Sequence, residues 1–170
     1  MKTTIQMTGL RELGLAMKEL DSRLQKKMGR NAVAAGARVI QKQAKQNAPL
    51  LKEPASNRKR GTIKKQIRSK AERKKNGIFE ARVWVKGIGK KKVQEFKTAT
   101  GQNSSQNPND PFYWWMVELG TAKTPPQPFM RPAFGAKKVQ AAEKIKSNLA
   151  DRIDKEAKQI GQTIGKANKK

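Results

Sequence analysis

The chain has 170 residues with 39 Lys and Arg against 13 Asp and Glu, a formal net charge of +26, and it contains no cysteine and no histidine. That length suits a single domain over residues 1–170, while a hydrophobic content of 35% and an aromatic content of 5% predict a thin core that a partner completes. Disulfides and thiolate metal sites are excluded, the commonest metal ligand and general base is missing, and the charge calls for a polyanion or an acidic protein surface as counterweight.

Residues 1–8 have no apolar core of signal-peptide length, and no later run approaches the roughly 20 apolar residues of a membrane span. A soluble protein made in a cytoplasm, with no membrane partner, is therefore expected. Leu10, Leu13, Met17, Leu20, Leu24 and Met28 recur at three- and four-residue steps, which predicts an amphipathic helix with Thr8 as N-cap. Gly29 is a position where that helix would kink or divide. Val33, Ala37, Ile40, Ala44 and Ala48 continue the period until Pro49.

From Leu51 to Lys75 eleven basic residues face only Glu53 and Glu72. Pro54, Ser56, Asn57 and Gly61 supply loop chemistry, so a flexible basic loop is expected, then a short helix or strand anchored by Ile63 and Ile67. Phe79–Val85 alternates strictly, placing Phe79, Ala81, Val83 and Val85 on one face of a strand and Trp84 with the charges on the other. Residues 89–111 combine Lys90, Lys91 and Lys92 with a long polar, turn-rich tract, which reads as a mobile loop or arm. Phe112–Leu119 is a third extended segment or a short helix, apolar on both faces. Four prolines then hold off regular structure until the last helix, expected over 132–165 with Pro132 in its first turn. Its apolar stripe runs from Val139 to Ile164, and a helix so narrow-faced needs a packing partner. The expected fold class is α+β: N-terminal helices, a small, mainly antiparallel sheet of three to four strands, and a long C-terminal helix.

Four pieces in order carry a resemblance. Gly9-Leu10-Arg11-Glu12-Leu13 opens the first helix, and Ala44-Lys45-Gln46-Asn47-Ala48-Pro49 closes a helix of small residues. Gly61-Thr62-Ile63-Lys64-Lys65-Gln66-Ile67 follows, and Tyr113–Thr121 leads into Pro128-Phe129-Met130-Arg131-Pro132-Ala133. In this order the chain resembles the tail-completion, or head-tail joining, neck proteins of long-tailed double-stranded DNA bacteriophages of the lambdoid siphovirus kind. Tyr113, Glu118, Leu119, Gly120 and Thr121 match the aromatic motif of that family. Arg60-Gly61-Thr62-Ile63 stands where Thr-Gly-Leu is more usual, and residues 89–111 look like an enlarged arm.

The resemblance implies a non-enzymatic virion protein, assembled in the host cytoplasm and without a cofactor. Such a protein completes the head-proximal end of the tail as a homo-oligomeric ring, with tail terminator or tube proteins and the head connector as partners. The expected subunit or partner contacts are Tyr113, Trp114, Trp115, Glu118, Phe129, Met130 and Arg131. For Trp114, Trp115 and Met116 core packing is the competing reading, since aromatics at alternating positions usually serve the core; the contact reading rests on adjacent tryptophans of a strand pointing to opposite faces, which leaves one exposed unless both faces are covered. Glu118 is either a surface carboxylate beside a cation or an inter-subunit partner, with Arg131 as its mate. Arg58, Lys59, Arg60, Lys64, Lys65, Arg68, Lys90, Lys91 and Lys92 form basic contact loops. These suit non-specific phosphate contact with packaged double-stranded DNA, acidic protein surfaces, or plain solvation. No catalytic, cofactor-binding or metal-binding residue is expected, because the carboxylates are scattered. A basic architectural nucleic-acid-binding protein is the alternative function.

Overall fold

The structure is a computed structural model that describes residues 22–51 and 57–167. The helix expected from Leu10 onward therefore lies outside the described residues up to Asp21. In chain order the elements are α1 (Ser22–Asn47), α2 (Thr62–Gln66), β1 (Ile67–Arg73), β2 (Phe79–Val85), α3 (Lys90–Thr100), a 3-10 turn at Ser104–Gln106, α4 (Trp114–Leu119) and α5 (Met130–Ala167). The class is α+β, with a helical N-terminal part and a long C-terminal helix.

The sheet departs from expectation. Among the described residues it has two strands, β1 and β2, and not three or four. Lys74 N–H donates to Ile78 C=O and Lys86 N–H to Gln66 C=O, so the strands are antiparallel and in unbroken register. The segment considered for a third strand is the helix α4. Pro111 C=O accepts Trp114 N–H and Tyr113 C=O accepts Met116 N–H, closing turns where a strand would need an extended backbone.

The expectation of a mobile arm over 89–111 is also corrected. Lys90–Thr100 is helical, because Lys, Gln, Glu and Ala are good helix formers and Lys91 lies 4.0 Å from Glu95 one turn on. Gly101, at φ 70°, ends the helix by donating its N–H to Lys97 C=O. The tract beyond is tied by its own side chains: Asn103 and Gln106 cap each other reciprocally, and buried Asp110 accepts the Ser104 hydroxyl at 2.7 Å. In the basic stretch over 51–75, where a loop and then a short helix or strand at Ile63 and Ile67 was expected, α2 holds Ile63 and β1 begins at Ile67.

The chain divides into two compact units. Among the described residues the first takes α1 up to Val39, the hairpin residues Lys70–Arg82 and α5 from Lys138. Here Leu24, Met28 and Ala32 of α1 meet Ile145, Leu149 and Ile153 of α5, both sets at four-residue spacing, so one face of each helix forms the seam. Burying Met28 and Leu149 contributes about 1.5–3 kcal/mol each. Gly29 does not divide α1. It lies under the Phe79 ring so closely that a Cβ would overlap it. At Gly36 a Cβ would stand 2.6 Å from Ile145 and 2.8 Å from the Ala141 carbonyl oxygen. The hairpin register sets Glu72 opposite Glu80 and Lys70 opposite Arg82. Lys74 relieves the first pair from 3.5 Å to each acid, and Glu72 relieves the second, 3.3 Å from Lys70 and 3.1 Å from Arg82. The Lys70 hydrogen bond, aided by the Arg82 charge, holds the Glu72 carboxyl below its ordinary value.

The second unit is Ile40–Ser69 with Val83–Lys137. Its core joins Ala44 and Ala48 of α1, Ile63, Ile67, Val85, Phe129 and Ala133, with Val83, Tyr113, Trp114, Val117 and Met130 packed around them. Gln41 fastens the strand β1 to its helix by donating to Ile67 C=O at 2.9 Å and accepting the Ser69 hydroxyl at 2.9 Å.

Candidate functional site

All the aromatic residues expected at a contact fall in the second unit, around the connection from α4 to α5. Trp114, Trp115, Met116, Val117, Glu118 and Leu119 make a helix of barely two turns, so it needs tertiary support. That support comes from Glu118. Its Oε2 accepts the N–H groups of Phe129 at 2.7 Å and Met130 at 2.9 Å, and its Oε1 accepts that of Arg131 at 3.0 Å. These are the unpaired donors of the first turn of α5, where the helix dipole also favours an anion. The next residue, Pro132, has no N–H to satisfy. One carboxylate therefore closes the whole N-terminus of a 38-residue helix from a position 11 residues upstream.

The chain between them is built to bring that about. Gly120 has φ 78° and ψ 175°, a region close to exclusive to glycine. A Cβ there would also stand 2.9 Å from Pro126. Thr121 and Thr124 bridge their backbones, the Thr121 hydroxyl accepts Thr124 N–H at 3.1 Å, and Gln127 N–H returns to Val117 C=O at 2.8 Å. The Glu-Leu-Gly-Thr and Pro-Phe-Met-Arg-Pro motifs are thus two halves of one capped turn.

This placement corrects two of the expected contacts. Glu118 is 5% exposed and Phe129 fully enclosed, so both act inside the chain: the first as a cap, the second as the centre of the core. Neither reading of Glu118 as a surface or inter-subunit carboxylate fits its three backbone donors. Arg131 does accompany it, with Nε 3.7 Å from Oε1 of the same chain, but its side chain is mostly in solvent and the ion pair contributes little. Tyr113, Trp114 and Met130 are partly buried against the core. Trp115 and Leu119, one helical turn apart, are 47% and 57% exposed. Leu119 was missed by sequence reasoning, although its four-residue spacing from Trp115 was visible.

The basic residues separate in the same way. Arg58 is held, not free: its guanidinium lies 4.9 Å from the Phe112 ring centre and 4.7 Å from that of Tyr113, and Nη1 donates to Asn57 C=O and Ser105 C=O. Thr62, buried, donates its hydroxyl to Lys59 C=O and Pro108 C=O, and Lys59 N–H also reaches Pro108 C=O. Together these bonds staple residues 57–62 to 104–113. Burial raises the Tyr113 hydroxyl above its ordinary value, against the opposing Arg58 charge. Lys59, Arg60, Lys64, Lys65, Arg68, Lys90, Lys91 and Lys92 are exposed. Of these only Lys91 has an ion pair among the described residues.

No group of three or more Asp or Glu side chains among the described residues could hold a metal ion, and no described helix is long and apolar enough to cross a membrane. Asp110 and Glu118, the buried acids, are engaged in internal hydrogen bonds. At this site polar chemistry shapes a turn and leaves cations and a few apolar side chains facing outward. The sequence profile of a family described as "Bacteriophage HK97-gp10, putative tail-component" matches residues 11–120. That is well over half the chain, and the chain belongs to this family. No curated protein and no solved structure matched it. The family match ends at Gly120, so the donors that Glu118 caps lie beyond it.

Proposed function

We propose that this tail component acts at the neck, completing the head-proximal end of the tail and joining it to the head as one subunit of a homo-oligomeric ring. The observation that carries the reading is the exposed Trp115 and Leu119 pair on α4, held on a helix that the Glu118 cap fixes in place. Exposed tryptophans on rigid supports are strong interface anchors. Tail terminator or tube subunits and the head connector are the partners, and the exposed cations meet their acidic surfaces. Packaged double-stranded DNA is a further, sequence-independent contact for Arg60, Lys64, Lys65 and Arg68. The protein assembles in the host cytoplasm and stays in the virion.

The experiment is to treat purified virions with nuclease and locate the chain by mass spectrometry and labelled electron microscopy. Retention at the head-tail junction is expected; absence from particles, or a position elsewhere along the tail, defeats the neck assignment. A basic architectural nucleic-acid-binding protein is the second reading, favoured by the unpaired cations of α2 and α3. It predicts tight duplex binding by the purified chain, with affinity falling steeply as salt rises, and loss of the chain from nuclease-treated particles.

A further inference from the structure

The second unit contains a groove of about 270 Å³ beside the capped turn, walled by Leu50, Leu51, Ile63, Tyr113, Val117 and Pro125. Its volume lies below the roughly 300–1,000 Å³ of small-molecule pockets, which suits one or two inserted side chains. The wall is preformed: Ile63 and Val117 belong to or pack on the core, and the Tyr113 ring is pinned under Arg58. Leu50, 43% exposed, forms an open lip. The cation Lys59 lines the groove itself, and the exposed Arg60, Lys64 and Lys123 each adjoin a lining residue in sequence. None of these four has an ion pair among the described residues.

We infer that this groove docks a short segment of a partner protein that carries one or two large apolar side chains flanked by carboxylates. Apolar insertion supplies the affinity, and Lys59 with the unpaired cations next to the lining residues selects acidic neighbours and speeds encounter. A second copy of this chain is the poorer occupant of this groove, since the inserted segment would come from a chain with 39 Lys and Arg against 13 Asp and Glu, the wrong charge for the cations beside it. The inference rests on the assembly reading above for the class of partner, but its test needs only the purified chain. A failure here leaves the location in the virion untouched, and a failure there leaves peptide binding untouched.

The probe is a fluorescein-labelled acidic peptide with a central Leu-Phe pair, compared with the same peptide carrying Ala-Ala. Both are titrated with the full chain near physiological ionic strength and followed by fluorescence anisotropy. The Leu-Phe peptide is expected to bind roughly tenfold or more tightly than the Ala-Ala peptide, because only it buries apolar surface. Leu50→Asp removes that difference, and Lys59→Glu or Lys123→Glu weakens both peptides. The sites of all three substitutions are at least partly in solvent, so thermal melts of the variants confirm an intact fold, and either lysine variant suffices if Leu50→Asp unfolds. Equal affinity for the two peptides, or unchanged selectivity in a folded Leu50→Asp chain, overturns the proposal. So does a dimer in sedimentation that Leu50→Asp dissolves, which would assign the groove to a second copy.

Discussion

Replacing Glu118 with alanine removes three hydrogen bonds at once. Phe129 is fully buried, so its N–H loses its acceptor where water has little access, at a cost of about 1–3 kcal/mol. Met130 is half-buried and Arg131 exposed; their amides rehydrate and lose about 0.5–1 kcal/mol each. Removing a negative charge from the positive end of α5 adds about 0.3–1 kcal/mol. The sum is about 4 kcal/mol, which for a chain of this size lowers Tm by about 8–16 °C. Glu118→Gln keeps one carbonyl oxygen but no charge and should lose about half as much. Urea unfolding followed by circular dichroism measures both, with the midpoint falling and the slope unchanged. If Glu118→Ala stays within about 0.5 kcal/mol of the parent, as a surface substitution does, the cap is not what holds this turn. Glu118 would then return to the list of partner contacts.

Three glycines give a graded test of close packing. Gly135→Ala meets nothing within 4 Å and should stabilise α5 by about 0.5–1 kcal/mol. Gly29→Ala gains the same helix propensity but drives the Phe79 ring aside, for a net loss of about 1 kcal/mol. Gly36→Ala meets the Ala141 backbone and should be the worst of the three, with urea midpoints in that order. The chain has a single tyrosine, so an ultraviolet absorbance titration reports Tyr113 alone; its midpoint should lie above the ordinary tyrosine value and rise further in Arg58→Ala. Because Glu72 is held below its ordinary value, its stabilising pairing is present above the unfolded carboxylate range and disappears as pH falls through the lower folded value. Amide protection in the hairpin, taken relative to the intrinsic exchange rate at each pH, should fall over that acidic interval, and Glu72→Gln should abolish the change.

Legibility in the sequence followed the range of the interactions. The alternation of Phe79–Val85 and the apolar stripe of α5 are local patterns, and β2 and α5 appear where those patterns put them. The helix α3 was hidden because none of its residues is buried, so it has no apolar stripe to announce it. Lys91 with Glu95, and Gly101 as terminator, were the available signals. The cap by Glu118 and the clamp on Arg58 join residues separated by 11 and 47 positions. No period or short motif spans such gaps, so a buried carboxylate and a stacked guanidinium looked like ordinary surface charges. The ordered resemblance did place Glu118 and Pro128–Ala133 in one signature, and the capped turn is the physical reason they belong together.

The arithmetic of that turn limits how this sequence can drift. A carboxylate has about four acceptor positions; three serve backbone amides, and Arg131 Nε lies on the side of Oε1. A residue other than proline at position 132 would bring a fourth amide and use the last acceptor position of Glu118. Proline at 132 leaves that position open to solvent or to Arg131, so the acid at 118 is the residue the turn depends on. Of the crossing itself, Thr121 is the position whose side chain is committed, its hydroxyl accepting Thr124 N–H, while the Thr121–Thr124 bridge and the Gln127 to Val117 bond are made by backbone groups.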